Sequence, residues 1–255
     1  MRDTRDRYLP DPEAFRAARP QRGRIIIIAP TRAACETIEL AFTLNIPTYL
    51  ETHHGARLRE LAASGQGFGI VAGTGTGKTL AVRPIAETIL GEELRVGVVN
   101  REREATPETP QCNVIIVTTG IARRWFQDGD IDHLDTVVVD EIHQTSAELE
   151  LCLALGKRAR CRYIWLSATV DPSFYSQYLN SGAVLEVYSF DEAKKATVEV
   201  LSRSPADFLD DKFLKKVIAE RRGVAMFLPT RAGTEDAARH VQESYPKIHA
   251  QHYHG

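Results

Sequence analysis

The sequence predicts an α/β fold: a parallel, doubly wound sheet followed by a second α/β domain that is incomplete. Three observations predict it. Short β-branched or apolar runs near residues 68–71, 94–99, 114–118, 136–140 and 163–167 alternate with segments of helical periodicity, which is the pattern of parallel strands joined by helical crossovers. A glycine-rich stretch, Ala72-Gly73-Thr74-Gly75-Thr76-Gly77-Lys78-Thr79, separates one such run from a helical segment. The run Thr136-Val137-Val138-Val139 ends in two acids, Asp140 and Glu141. In open α/β sheets the carboxyl ends of the strands face the ligand crevice.

The elements follow in order. Residues 1–24 are arginine-rich with interspersed Asp, Glu and Pro, which predicts a disordered or loosely docked arm, with a nucleic-acid-binding arm as the alternative. Residues 24–29 read as a strand and 33–44 as a helix with Thr31 as N-cap. Residues 1–44 are therefore assigned to an N-terminal extension, and 45–192 to the first domain. His53-His54 reads as a surface pair at a helix start.

Phe68-Gly69-Ile70-Val71 suits a buried parallel strand. The loop after it needs glycine because its backbone must wrap a phosphate chain with N–H groups turned inward, and side chains would collide with the ligand or forbid the dihedrals. Gly73, Gly75 and Gly77 meet that need, and Ala72 stands where the usual pattern has glycine. Lys78 can place its ammonium between the β- and γ-phosphates of a nucleotide, and Thr79 can offer its hydroxyl to Mg²⁺. Leu80, Val82, Ile85, Ala86 and Ile89 keep helical spacing up to Gly91, so a helix N-terminus is aimed at the phosphates. Pro84 predicts a local kink in it.

Asp128-Gly129-Asp130 marks a turn before the strand that delivers Asp140 and Glu141. Asp140 would hold Mg²⁺, through water. Glu141 would polarise the attacking water as general base or orienter. From residue 193 a second domain is expected, with a strand at 198–201, an amphipathic helix at 208–219 and a buried strand at 224–228. A further helix, capped by Thr230 or Thr234, reaches about residue 243. A complete domain of this type needs roughly 100 residues or more, so the chain is expected to be a fragment of a longer protein.

Composition narrows the classes. A formal net charge of −2 and a pI near 6.5 exclude a polybasic packaging protein but not a groove with a few cations and salt-sensitive binding. Cys35, Cys112, Cys152 and Cys161 show no Cys-x-x-Cys spacing, which predicts reduced thiols and a cytoplasmic location. No apolar stretch has the length of a membrane span or a signal-peptide core, and no membrane partner is expected. His249-Ala250-Gln251-His252-Tyr253-His254 reads as a strand end, with weak metal binding as the alternative.

The motifs also carry a resemblance. Asp140-Glu141-Ile142-His143 resembles the DExH box of superfamily 2 helicases, and Ser167-Ala168-Thr169, after the strand Tyr163-Ile164-Trp165-Leu166, is similar to that family's Ser-Ala-Thr motif. The stretch from Ser167 through Tyr178-Leu179 resembles the DEAH-box branch. Thr118-Thr119-Gly120-Ile121-Ala122-Arg123-Arg124 is similar to its Thr-x-Gly RNA-contact motif. Met226-Phe227-Leu228-Pro229-Thr230 resembles the motif that opens the second RecA-like domain. Motif order agrees from about residue 45 to the end.

The resemblance implies a RecA-like P-loop NTPase that uses ATP and Mg²⁺ in an ATP-dependent helicase or translocase. The expected partner is single-stranded or partly duplex nucleic acid, with RNA ahead of DNA. His143, Ser167, Ala168 and Thr169 would couple nucleotide state to the nucleic-acid groove. Thr118, Gly120 and Arg124 would touch the sugar–phosphate backbone. The arginine fingers would lie beyond Gly255, in a C-terminal RecA-like lobe that completes the ATP site, so the chain alone is expected to bind nucleotide and hydrolyse it weakly.

Some residues depart from the pattern. Gln144-Thr145 follows the acidic box where DEAH proteins carry Glu-Arg. Asn100-Arg101-Glu102-Arg103 is a loose match to the expected Pro-Arg motif. Pro84 has the offset of flavivirus-type helicases. Ala29-Pro30-Thr31-Arg32 is similar to the family's Pro-Thr-Arg nucleic-acid motif but precedes the glycine loop instead of following it. It is taken as part of a strand–helix appendage, with a displaced functional element as the alternative. Two other functions remain in view: a non-hydrolysing ATP-dependent clamp or switch, against which Lys78 and Glu141 argue, and another P-loop ATPase, which the Ser-Ala-Thr and Thr-x-Gly motifs disfavour.

Overall fold

The computed structural model describes residues 17, 23–44, 46–106, 108–168, 171–187, 202 and 209–253. The chain divides into two compact units, Met1–Ala193 and Lys194–Gly255. The expected arm (apart from residues 17, 23 and 24), the strand at 198–201 and Thr169 lie outside the described residues.

The first unit is a seven-stranded sheet in the order β3-β4-β1-β5-β6-β2-β7. Its strands are β1 (Ile25–Ala29), β2 (Phe68–Ala72), β3 (Val96–Val99), β4 (Val114–Thr118), β5 (Thr136–Val139), β6 (Arg162–Ser167) and β7 (Ala183–Val187). Every pairing is parallel. Parallel strands need crossovers. These are supplied by α1 (Arg32–Thr43), α2 (Tyr49–Ala63), α3 (Val82–Leu90), α4 (Thr119–Gln127), α5 (Ala147–Arg158) and α6 (Pro172–Tyr178).

One expectation is overturned here. The strand and helix within residues 1–44 are no appendage, because β1 lies mid-sheet, bonded to β4 on one side and β5 on the other. The physical reason is burial on both faces. Ile25 and Ile27 join the apolar layer that includes Ile38, Leu58, Phe68 and Ile85, whereas Ile26 and Ile28 join the layer that includes Trp125, Leu149 and Trp165. Each such side chain contributes roughly 1.5–3 kcal/mol of burial, which a peripheral strand could not gain. A backbone approach fixes the neighbouring strands as well: a Cβ on Gly69 of β2 would sit 2.2 Å from the Trp165 ring of β6.

Helix starts follow their caps. Thr31, Thr48, Ser146 and Asp171 accept from backbone N–H groups two or three residues on. The irregularity expected at Pro84 takes the form of a 3-10 turn, Thr79–Ala81, after which the α-helix begins at Val82. Pro84 then lies in the first turn, where a missing N–H removes no intrahelical bond.

The second unit contains α7 (Asp211–Glu220) and α8 (Arg231–Ser244), the latter capped by Thr230. The buried strand expected at 224–228 is not found. Those residues have no strand pairing, and Phe227 is 92% exposed, since no neighbouring strand among the described residues offers them a ladder. Residues 249–253 form no strand either, and among the described residues no group of three or more His, Cys, Asp or Glu is placed to hold a metal. No helix among them is long and apolar enough to cross a membrane.

Candidate nucleotide-binding site

Because every strand pair is parallel, the carboxyl ends of β1, β2, β4, β5 and β6 share one edge of the sheet. Ala29 is in register with Thr118, Ile28 with Val139, Val139 with Trp165, and Val71 with Ser167. That edge gathers the glycine loop, Asp140-Glu141, Ser167, Thr118–Gly120 and, unexpectedly, Pro30-Thr31-Arg32.

The loop leaves β2 at Ala72 and turns through Gly75 (φ 84°) and Gly77 (φ 91°), a left-handed region in which an L-residue is strained by roughly 1–2 kcal/mol. A Cβ on Gly73 or Gly75 would meet nothing within 4 Å, so the loop faces open space there. One on Gly77 would lie 2.4 Å from the Thr48 Cβ, and the Leu50 N–H donates to the Thr76 carbonyl at 3.0 Å. The start of α2 is thus the wall behind the loop. Thr76 closes it from within, its hydroxyl donating to the Gly73 carbonyl at 2.8 Å.

Lys78, only 5% exposed, donates to the Gly73 carbonyl at 3.4 Å and stands 4.0 Å from the Glu141 carboxylate. The Thr79 hydroxyl donates to Asp140 Oδ2 at 3.0 Å, and the Glu141 N–H donates to Oδ1 at 3.0 Å. Glu141 sits at φ 51°, a left-handed conformation for a non-glycine residue, which turns its side chain out of line with β5. Its Oε2 is 3.0 Å from His143 Nε2, and His143 Nδ1 is 3.1 Å from the Ser167 hydroxyl. A continuous polar chain therefore runs Lys78–Glu141–His143–Ser167. Ala168 follows at the strand end.

Burial pushes the Asp140 carboxyl up to about 6, and the neighbouring Glu141 charge adds to the rise; the Thr79 hydroxyl, the Glu141 N–H and Lys78 oppose it. A desolvated carboxylate beside a threonine hydroxyl is a donor set of two hard oxygens that suits Mg²⁺, an ion that keeps several waters and takes its remaining ligands from phosphate. The inward-turned loop beside Lys78 suits the phosphates themselves.

Around the second half of this edge, Thr118 is the N-cap of α4, Thr119 and Gly120 open that helix, and Arg124 lies in its last turn. Arg123, beside it, is 3.9 Å from Glu148. Sequence reasoning missed that Pro30-Thr31-Arg32 stands next to Thr118-Thr119-Gly120. The signal was there: the four isoleucines show no alternation, which marks a strand buried on both faces. A cavity of about 210 Å³ lies between these segments, lined by Pro30, Thr119, Asp140, Gln144 and Ser146 among others. The 100–103 segment behaves differently. Glu102 pairs with Arg32, and Arg103 with Glu39, so these side chains tie the segment to α1. Gln144 and Thr145 border the cavity instead of forming an ion pair.

No family model matches the chain. It is similar to the ATP-dependent RNA helicase DHX29 of Homo sapiens, with 27% identity over 135 residues, 47% of this chain and 9% of that protein. It is also similar to the ATP-dependent RNA helicase HrpA of Escherichia coli, with 28% identity over 157 residues, 58% of this chain and 12% of that protein. Among solved structures, Escherichia coli DEAH/RHA helicase HrpB aligns with 75% of this chain and 32% of its own, at 18% identity and a TM-score of 0.42. The matched region spans about a tenth of the length of these curated relatives. The resemblance to DExH/DEAH-box helicases read from the motifs is borne out by these sequence matches.

Proposed function

We propose that this chain, a DExH/DEAH-type helicase sequence by its motifs and its relatives, carries the nucleotide-binding part of an ATP-dependent RNA helicase or translocase. One observation carries the reading: the polar chain from Lys78 through Glu141 and His143 to Ser167 joins the glycine loop to a second strand end. An isolated nucleotide store needs no such chain, whereas a motor must transmit the state of its phosphates.

In this reading residues 72–79 cradle the phosphates of ATP, and Lys78 exchanges its contacts with Gly73 and Glu141 for the β- and γ-phosphates. Glu141, released from Lys78, orients and deprotonates the attacking water. Mg²⁺ held by Thr79 and Asp140 would neutralise charge on the phosphates. His143 reports the position of Glu141 to Ser167, and Ala168 and Thr169 extend that link. Thr118, Gly120 and Arg124 meet the sugar–phosphate backbone of the nucleic acid, a contact that positions without reading sequence. Pro30-Thr31-Arg32 belongs to the same path by its place beside Thr118, although it precedes the loop in the chain.

The test separates binding from chemistry. Glu141→Gln should bind a fluorescent ATP analogue like the unaltered chain, while single-turnover hydrolysis falls by roughly 10²–10⁴. Lys78→Ala should lose the binding itself. Unchanged single-turnover hydrolysis in Glu141→Gln would falsify the role given to Glu141, whereas nucleotide binding with no hydrolysis by the full protein would favour the clamp.

A further inference from the structure

The opposite edge of the sheet holds a cluster that the nucleotide reading leaves unused. β6 runs from Arg162 at the amino edge to Ser167 at the carboxyl edge, a separation of about 16 Å at roughly 3.3 Å per residue. Around Arg162 lies a cavity of about 420 Å³ lined by Lys157, Arg160, Arg162, His133 and Asn180 among others, with no carboxylate in its wall.

Several cations elsewhere in the unit are held by carboxylates. Arg24 is paired with Asp135, Arg83 with Glu87 and Arg103 with Glu39. Lys157, Arg158, Arg160 and Arg162 have no carboxylate partner among the described residues, on a chain whose net charge is −2. Three of them have a local reason. Lys157 and Arg158 complement the C-terminal end of α5, worth roughly 0.3–1 kcal/mol each. Arg162 holds the carbonyls of Leu61, Ala62 and Gln66. Its burial without a counter-charge keeps the guanidinium below the usual arginine range.

Arg160 has no such reason. It follows the end of α5 at φ 61°, the left-handed position that glycine fills at lower energy. An arginine there carries a local strain of roughly 1 kcal/mol with no ion pair to offset it.

Aromatic faces stand beside these cations. The Lys157 ammonium lies 4.2 Å from the centroid of the Tyr178 ring. Phe174, one turn earlier on α6, is stacked on Tyr178 with centroids 5.9 Å apart and planes 3° from parallel. Phe174 is nevertheless 62% exposed. Cations that follow a phosphate backbone, interleaved with aromatic faces on which bases stack, form the surface that binds single-stranded nucleic acid. An acidic protein segment would use the cations but leave the rings without a role, and a duplex would keep its bases out of reach.

We propose that the Lys157–Arg162 turn and the Phe174–Tyr178 face of α6 form a second binding surface for single-stranded nucleic acid. Its cations lie at the amino edge of the sheet, opposite the Thr118–Gly120 segment at the carboxyl edge. Phosphates meet Lys157 and Arg160, which line the cavity, and Arg158 beside them at the end of α5, and a base stacks on Phe174.

The experiment uses the chain with a fluorescein-labelled uridine oligonucleotide, read by anisotropy across a salt series. Arg160→Gly removes the cation while relieving the backbone, so its thermal midpoint should equal or exceed that of the unaltered chain. Its affinity should fall several-fold, and its salt slope should drop by about 0.7, the value for one phosphate on a single strand. Phe174→Ala should weaken binding roughly fivefold or more with the salt slope unchanged. Binding of the ATP analogue should be unaffected in both. Oligonucleotide affinity that is unchanged in both variants overturns the inference. So does an oligoglutamate peptide that displaces the oligonucleotide from the unaltered chain but not from Arg160→Gly, because an acidic protein is then the occupant. The outcome is independent of the nucleotide reading: loss of hydrolysis in Glu141→Gln bears only on the carboxyl edge.

Discussion

β5 is bracketed by two buried aspartates, and they are treated in opposite ways. Asp135, just before the strand, is 1% exposed and fully engaged: Oδ1 accepts from Arg24 Nε at 3.1 Å and from the Arg24 backbone N–H at 3.2 Å, while Oδ2 accepts from Arg24 Nη2 at 2.9 Å. Asp140, just after the strand, is 4% exposed and has a hydroxyl and one N–H as its partners, with its carboxyl pushed up to about 6. The amino edge matches its acid with a permanent cation. The carboxyl edge leaves its acid underpaired, as a site must that takes its cation from a ligand. Low exposure alone distinguishes neither role; what each carboxylate accepts does.

The largest expected effect is at the permanent pair. Asp135→Ala leaves the Arg24 guanidinium buried without its counter-charge, and Arg24 Nη1 already lacks a hydrogen-bond partner. Breaking such a pair destabilises by roughly 3–5 kcal/mol. Urea unfolding should show that loss with no change in nucleotide affinity under conditions where the variant is folded. A loss under about 1 kcal/mol would mean that the pair behaves as an exposed one.

At the other end of the strand the sign reverses. Asp140 is ionised at neutral pH in both folded and unfolded chains, but its folded pKa of about 6 is raised above the usual carboxylate value, so its charge lowers stability throughout the range above that pKa. Asp140→Asn should therefore stabilise the nucleotide-free chain by about 1–3 kcal/mol at pH 7.5 in EDTA. The gain should shrink as the pH falls from 6 towards 4, where the native carboxyl takes up its proton. Stabilisation of the unaltered chain by Mg²⁺ and ATP should be lost in the variant. Equal stability of the two proteins across that pH range would show that Asp140 is not strained by burial.

Much of this was legible in the sequence, for reasons that are local. A glycine loop between a strand and a helix, and acids at a strand end, are set by neighbours in the chain, and Lys78, Thr79, Asp140 and Glu141 come together as their spacing implies. The place of β1 was not legible from motif order, because pairing with β4 and β5 joins residues about 90 and 110 positions apart. The isoleucine run alone hinted at it. Residues 224–228 show the converse: an apolar run reads as a buried strand, yet burial needs a neighbour to cover it. The basic run from Lys157 to Arg162 was visible as composition, but composition does not tell a paired charge from an unpaired one.

The smallest effect tests whether Asp140 and Thr79 form one unit. Thr79→Val removes the hydroxyl that donates to Asp140 Oδ2 and keeps the shape of the side chain. In the nucleotide-free chain the loss should be about 1.5 kcal/mol, the low end for a hydrogen bond to a charged acceptor. In the Asp140→Asn background the same substitution should matter less, because the acceptor no longer carries charge. The difference between the two backgrounds is the coupling energy of the pair. A coupling indistinguishable from zero would place the Thr79 hydroxyl on another partner, and the carboxyl edge would then hold its aspartate even more loosely than the amino edge holds Asp135.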